Sequence, residues 1–152
     1  MNALNDHCIN ICNRLLRGEL SAIETYGQVI HKNPSWAVSE ELRRIRAEHS
    51  VSANRLSANV RSMGGVPEKD SGAWGIFATA VQGAANLFGP ESALASLRNG
   101  EEAGRNDYQN ALLDDQVMSD CKALVREELL PRVIDHLALL EKLDHSLSAE
   151  LR

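Results

Sequence analysis

The sequence predicts an all-α fold: a four-helix bundle with one long crossover between its second and third helices. Three observations lead there. Apolar residues recur at steps of three and four along four separate stretches, and no segment alternates with period two as a strand would. A decapeptide occurs twice, EELRRIRAEH at 40–49 and EELLPRVIDH at 127–136, at an offset of 87 residues. A second pair precedes it at an offset of 82 residues: Gly18-Glu19 with Tyr26, then Gly100-Glu101 with Tyr108. The chain therefore reads as two copies of a helical hairpin, the second with a longer loop. Within the decapeptide, Arg132 and Val133 stand one residue later than Arg44 and Ile45.

Helix A is expected over about residues 3–30, with a seam of Ile9, Cys12, Leu16, Glu19, Ile23, Tyr26 and Ile30. Asn33 and Pro34 offer an N-cap and first residue for helix B. Helix B should run to about Met63, with Leu42, Ile45, His49, Ser52 and Leu56 on one face, and stop at Gly64-Gly65-Val66-Pro67. These two helices form the first hairpin, about 3–63, and residues 64–89 form the crossover. Trp74, Phe77, Val81, Ala84 and Phe88 fall at helical spacing, which predicts a short helix inside it. That stretch is too short and too polar to span a membrane. Helix C should cover about 90–113, with Leu94, Leu97, Glu101, Gly104, Tyr108 and Ala111 inward. Gly100 and Gly104 lower its propensity, so close approach to a neighbouring helix or to a site is expected there. Helix D should begin near 117–121 and reach about 147, with Leu129, Val133, His136, Leu140 and Leu143 inward. Pro131 predicts a kink, because it removes a backbone donor. Short-loop bundles have no use for residues 64–89, so the arrangement expected is the ferritin-like one, as a single domain over 1–152.

Bulk composition narrows the function. The net charge is −5 with no basic block, which argues against nucleic acid or an anionic membrane as partner. The first residues, MNALNDHCINICNRLL, lack the pattern of a signal peptide, and three cysteines form no disulfide framework. A cytoplasmic protein is expected. Aromatic residues are only 4%, so the core must be aliphatic.

Glu19, His49, Glu101 and His136 each interrupt an apolar seam, one per helix. Counted from the hairpin loops, they fall within about one turn of a common level. A buried carboxylate must be paired, protonated or bound to something. Two Glu and two His suit a divalent metal such as iron, zinc or manganese. Tyr26 and Tyr108 lie one heptad past each Glu, where their hydroxyls can bond to the layer. Glu48, Glu102, Glu128 and Asp135 are the remaining acids that could support it. The plainer alternative is a structural layer of Glu–His pairs that fixes register without a ligand. His7, Cys8 and Cys12 form a weaker metal candidate, and Cys121 stands apart from them in sequence. No phosphate loop, dinucleotide fingerprint or nucleophile elbow is present, and no catalytic residue is assigned.

The stretches RGELSAIETY, LRRIRAEH with ANRL, SGAWGIFATAVQGAANLFG, GEEAGRNDY and REELLPRVIDH resemble a group of bacterial ferritin-like four-helix-bundle proteins carrying a domain of unknown function (DUF2383-like). The resemblance implies the ferritin-like fold and a bacterial cytoplasmic setting. Di-iron members of the wider superfamily use a Glu-x-x-His pair on two helices. Here Arg46 and Val133 stand three residues before the histidines. The expectation is thus a metal-binding ferritin-like protein, for sequestration or stress response, with enzymatic activity left open. The alternatives are a non-catalytic bundle that binds a protein partner or its own copy, and a di-metal oxidoreductase of the rubrerythrin type. Trp74, Phe77 and Phe88 either pack on the flank of the bundle or seal a homodimer, and the homodimer is the expectation.

Overall fold

The computed structural model of the protein describes residues 3–32, 37–71 and 89–150. Four long helical rods account for nearly all of them, and no strand occurs among the described residues. Helix α1 is Ala3–Lys32, α2 is Ser39–Ser62 and α3 is Gly89–Leu113. The fourth rod has three parts: α4, Ser119–Leu124; a π-helical turn, Val125–Leu129; and α5, Leu130–Glu150. The proposed cap at Asn33-Pro34 and the crossover helix with Trp74, Phe77 and Phe88 lie outside the described residues.

Three core clusters show how the rods run. The first joins Ala22, Tyr26 and Val29 of α1 to Leu42 and Ile45 of α2, Leu94 and Leu97 of α3, and Leu140 and Leu143 of α5. The second joins Leu15 and Leu16 to Ala53 and Leu56, Tyr108 and Ala111, and Leu129 and Val133. The third holds Cys12, Val60, Val117 and Cys121. Reading from the third cluster to the first, residue numbers rise along α1 and α5 and fall along α2 and α3. Helices α2 and α3 are therefore parallel.

The first residues after α2 turn back along α1. Helix α2 ends in a Schellman motif: Gly65 N–H donates to Val60 O and Gly64 N–H to Arg61 O, at 3.0 and 2.9 Å. Gly64 has φ +84°, and a Cβ on Gly65 would sit 2.8 Å from Ile9 Cγ2, so both positions require glycine. Buried Asn13 then clamps the outgoing strand of chain, donating to Val66 O and accepting from Glu68 N–H. Ser71 donates to Glu24 at 2.8 Å. Residues 66–71 thus climb α1 from Asn13 towards Glu24.

The seam of α1 differs from its expected course. Ala22 and Val29 are buried, whereas Ile23 and Ile30 are only half-buried. The expected disturbance at Pro131 takes the form of a π turn just before it, closed by Leu130 N–H on Val125 O. Proline cannot donate to the carbonyls behind it, and a widened turn accommodates that loss without breaking the rod. Pro131 itself is exposed.

Candidate metal centre

Between the first two clusters the apolar core is interrupted by one polar layer. Glu19, His49, Glu101 and His136 lie there with relative exposures of 5, 2, 1 and 2%. Each sits on a different rod, at the level where its helix passes between Leu16 and Ala22, Ile45 and Ala53, Leu97 and Tyr108, or Val133 and Leu140.

His49 is the hub. Its Nδ1 meets Glu19 Oε2 at 2.5 Å and its Nε2 meets Glu101 Oε1 at 2.6 Å. A carboxylate on each side accepts from each nitrogen, so the ring carries both protons as an imidazolium. Burial alone would lower its pKa, but Glu101 and Glu19 overcome that and raise it to about 10. Burial likewise pushes Glu101 up, and the charge of His49 with the nearby His136 brings it down to about 2.

The tyrosines cross between the hairpins. Tyr26 of the first donates to Glu101 Oε1 of the second at 2.8 Å, and Tyr108 of the second donates to Glu19 Oε1 of the first at 2.5 Å. Burial, then the adjoining carboxylates, raise both phenols well above their ordinary range, so both stay protonated donors.

His136 breaks the symmetry. Its Nε2 donates to Glu48 Oε1 at 2.9 Å, while its Nδ1 lies 3.4 Å from Glu101 Oε1 without forming a hydrogen bond. The His49 and His136 rings are 4.7 Å apart. Apart from Ser21 Oγ, the buried side-chain polar atoms left without a partner among the described residues are Glu101 Oε2 and His136 Nδ1. Both belong to the layer. His49, Glu101 and His136 offer ligand atoms all within 4.8 Å of one another. Glu19 stands outside that trio and holds the far side of His49.

The other candidate acids separate cleanly. Glu48 reaches the layer through His136 even though it adjoins His49 in sequence. It does so because α2 and α5 are neighbours here, and a residue 100° around one helix faces the next. Glu102 and Asp135 are exposed. Glu128 pairs with Arg55 at 2.8 Å on the surface. Arg46 lies outside the layer: its Nε donates to Ile23 O and its guanidinium covers Gly27.

A narrow slot between α1 and α3 leads to the layer. Gly18, Gly100 and Gly104 line it, together with Glu19, His49 and Glu101. Its cavity volume is about 20 Å³, room for a single water-sized occupant. A Cβ on Gly18 or Gly104 would meet nothing within 4 Å. Close helix–helix contact therefore does not explain Gly104; it borders open space beside the site.

The α1–α4 thiol contact has no signal in the sequence. Cys121, isolated in sequence, lies 2.9 Å from Cys12, sulfur to sulfur. Cys8 turns instead to Gln116 O. His7 pairs with Asp114 at 2.8 Å, so His7, Cys8 and Cys12 do not share a site.

The fold and the layer together define a helical-bundle protein with a buried Glu/His cluster able to hold a metal ion. The chain belongs to the family described as a domain of unknown function, DUF2383, whose profile matches residues 7–114. That span contains Glu19, Tyr26, His49, Glu101 and Tyr108, and stops before His136. No curated protein and no solved structure matches the chain. No described helix is long and apolar enough to cross a membrane.

Proposed function

We propose that the protein binds one divalent transition-metal ion in the polar layer, through His49, Glu101 and His136, with Glu19 supporting His49. The observation that carries this is the pair of unpartnered atoms, Glu101 Oε2 and His136 Nδ1, buried in a trio whose ligand atoms lie within 4.8 Å. Buried polar atoms are almost always satisfied, and two in one cluster point to a missing partner. A cation would satisfy both. Imidazole and carboxylate donors suit zinc, iron or manganese. Metal needs neutral imidazole, so binding displaces the proton held between His49 and Glu101.

The parallel course of α2 and α3 supports a ferritin-like arrangement of the bundle, and with it a role in metal sequestration or stress response. The di-metal oxidoreductase reading has less behind it. Arg46 faces away from the layer and Val133 is apolar, so neither hairpin supplies a bridging Glu at that position. The second reading favoured by a specific observation is a structural layer, because His49 is already held between two carboxylates.

Elemental analysis of untagged protein, followed by melting with EDTA and with each metal restored, tests the proposal. Stoichiometric metal and a chelator-sensitive melt are the expected results. A melt unmoved by chelator and by every metal would leave the structural layer.

A further inference from the structure

The third core cluster holds a contact that the metal layer does not use. Cys12 of α1 and Cys121 of α4 approach to 2.9 Å, sulfur to sulfur, across 109 residues of sequence. They are 0 and 1% exposed. Asn59 of α2 donates its amide to Cys12 Sγ at 3.2 Å. Cys8 sits one turn earlier on α1 but is engaged elsewhere: it donates to Gln116 O and accepts from Met118 N–H. That stitching ties the turn leading into α4 to α1. A pocket of about 190 Å³, lined by Asn59, Met63, Met118 and Cys121 among others, opens beside the pair.

Buried cysteines are most often small apolar side chains. Here two features go beyond that. The sulfurs are within roughly 1 Å of bonding distance. One of them lines a pocket large enough for a small oxidant.

We propose that Cys12 and Cys121 are an oxidisable dithiol, converted by hydrogen peroxide or a similarly small hydroperoxide into a disulfide that staples α4 to α1. A shared S–H···S contact allows one proton to pass between the sulfurs, so one ionisation yields a thiolate at the sulfur the oxidant meets. The contact with Cys121 depresses the pKa of Cys12 against the opposing effect of burial, whereas the same contact and burial raise that of Cys121, so the thiolate rests on Cys12 and reaches the pocket when the shared proton moves from Cys121 to Cys12. The thiolate at the pocket, Cys121, attacks one peroxide oxygen. The O–O bond breaks and the departing hydroxide takes up a proton to become water. Cys121 is left as the sulfenic acid. Cys12 then attacks the Cys121 sulfur, the S–S bond forms, the S–O bond breaks, and hydroxide leaves with the proton of Cys12 as a second water. Two electrons pass from the two sulfurs to the peroxide. Reduction by an external dithiol reverses the change.

The proposal is independent of metal binding, and the test is run in EDTA to keep it so. Reduced wild-type protein is treated with hydrogen peroxide, then alkylated and mapped by mass spectrometry. The expected product is lighter by two hydrogens, contains a Cys12–Cys121 peptide pair, keeps Cys8 alkylated, and reverts with dithiothreitol. Its melting temperature should rise on the order of 10 °C, because the bridge closes a long loop. Cys8→Ser should still cross-link, and Cys121→Ser should not. Cys12 and Cys121 both remaining as alkylated thiols, over-oxidised sulfur without a bridge, or a bridge through Cys8, would overturn the proposal. The wild-type map decides by itself if Cys121→Ser fails to fold.

Discussion

Tyr26 donates its hydroxyl hydrogen to Glu101 across the bundle at 2.8 Å, and the equivalent pair, Tyr108 to Glu19, runs the other way. Each hairpin thus secures the carboxylate of the other. The bond is fully buried, so removing the donor leaves a charged acceptor short of a partner. Tyr26→Phe should cost about 1–3 kcal/mol by chemical denaturation, and Tyr108→Phe a similar amount. If both variants were as stable as wild type, the tyrosines would be core residues whose hydroxyls contribute nothing.

His49 lies between two carboxylates and, among the described residues, is the one positive group hydrogen-bonded to both. His49→Leu should destabilise the metal-free protein by about 3–5 kcal/mol, because it leaves Glu19 and Glu101 buried without a counter-charge. Replacing the whole layer, with both acids as Gln and both histidines as Leu, should recover most of that loss. Denaturant titration of the single and quadruple variants separates the two cases. A quadruple variant no better than the single one would contradict the account.

The layer also sets a pH window in the metal-free protein. His49 is raised from 6.5 to about 10 by Glu101 and Glu19, against burial. Its contribution is complete below pH 6.5 and is lost as pH rises through about 10. Glu101 is lowered from 4.5 to about 2, again against burial, by His49 and His136. Its contribution is complete above pH 4.5 and is lost as pH falls through about 2. The two together predict greatest stabilisation from this pair between pH 4.5 and 6.5. Metal affinity should run opposite to His49 protonation and strengthen as pH rises, since protons compete for the imidazoles. Melting in EDTA across pH, beside metal titrations at the same pH values, checks both signs.

Chelator should lower the melting temperature of metal-loaded protein by roughly 5–10 °C if metal is held about 100-fold above its dissociation constant. The shift should depend on metal concentration. Glu101→Gln should abolish that dependence, because its carboxylate carries one of the two unpartnered atoms.

Much of this was legible in the sequence. The twofold recurrence of Gly-Glu…Tyr and acid-His placed four polar residues at one level, and they lie together because three- and four-residue steps keep each on its inward face. The π turn leaves no mark in the repeat, whose offset is 87 residues at both ends of the decapeptide, so Pro131 alone signals the disturbance there. Glu48 adjoins His49 in sequence, which turns it about 100° away from His49 on its own helix. Its contact with His136 depends on which helices are neighbours, and periodicity within one helix does not contain that. The same holds for Cys12 and Cys121, 109 residues apart and joined by packing alone.

Gly104 offers a test of access that leaves the ligands untouched. It lines the slot with Gly18 and Gly100, and a Cβ there would meet nothing within 4 Å. Gly104→Ala should therefore be tolerated and, in a helix interior, should stabilise the fold by up to about 1 kcal/mol. Gly104→Val projects more bulk into a slot of about 20 Å³ that has room for one water-sized occupant. If metal reaches Glu101 and His49 by this route, the valine variant should load metal several-fold more slowly in stopped-flow measurements. Its equilibrium affinity should stay close to that of wild type, because no ligand changes. The alanine variant should fall between the two in rate. Loading at the wild-type rate in the valine variant would mean that metal reaches the layer by another path, such as past half-exposed Glu48 at His136.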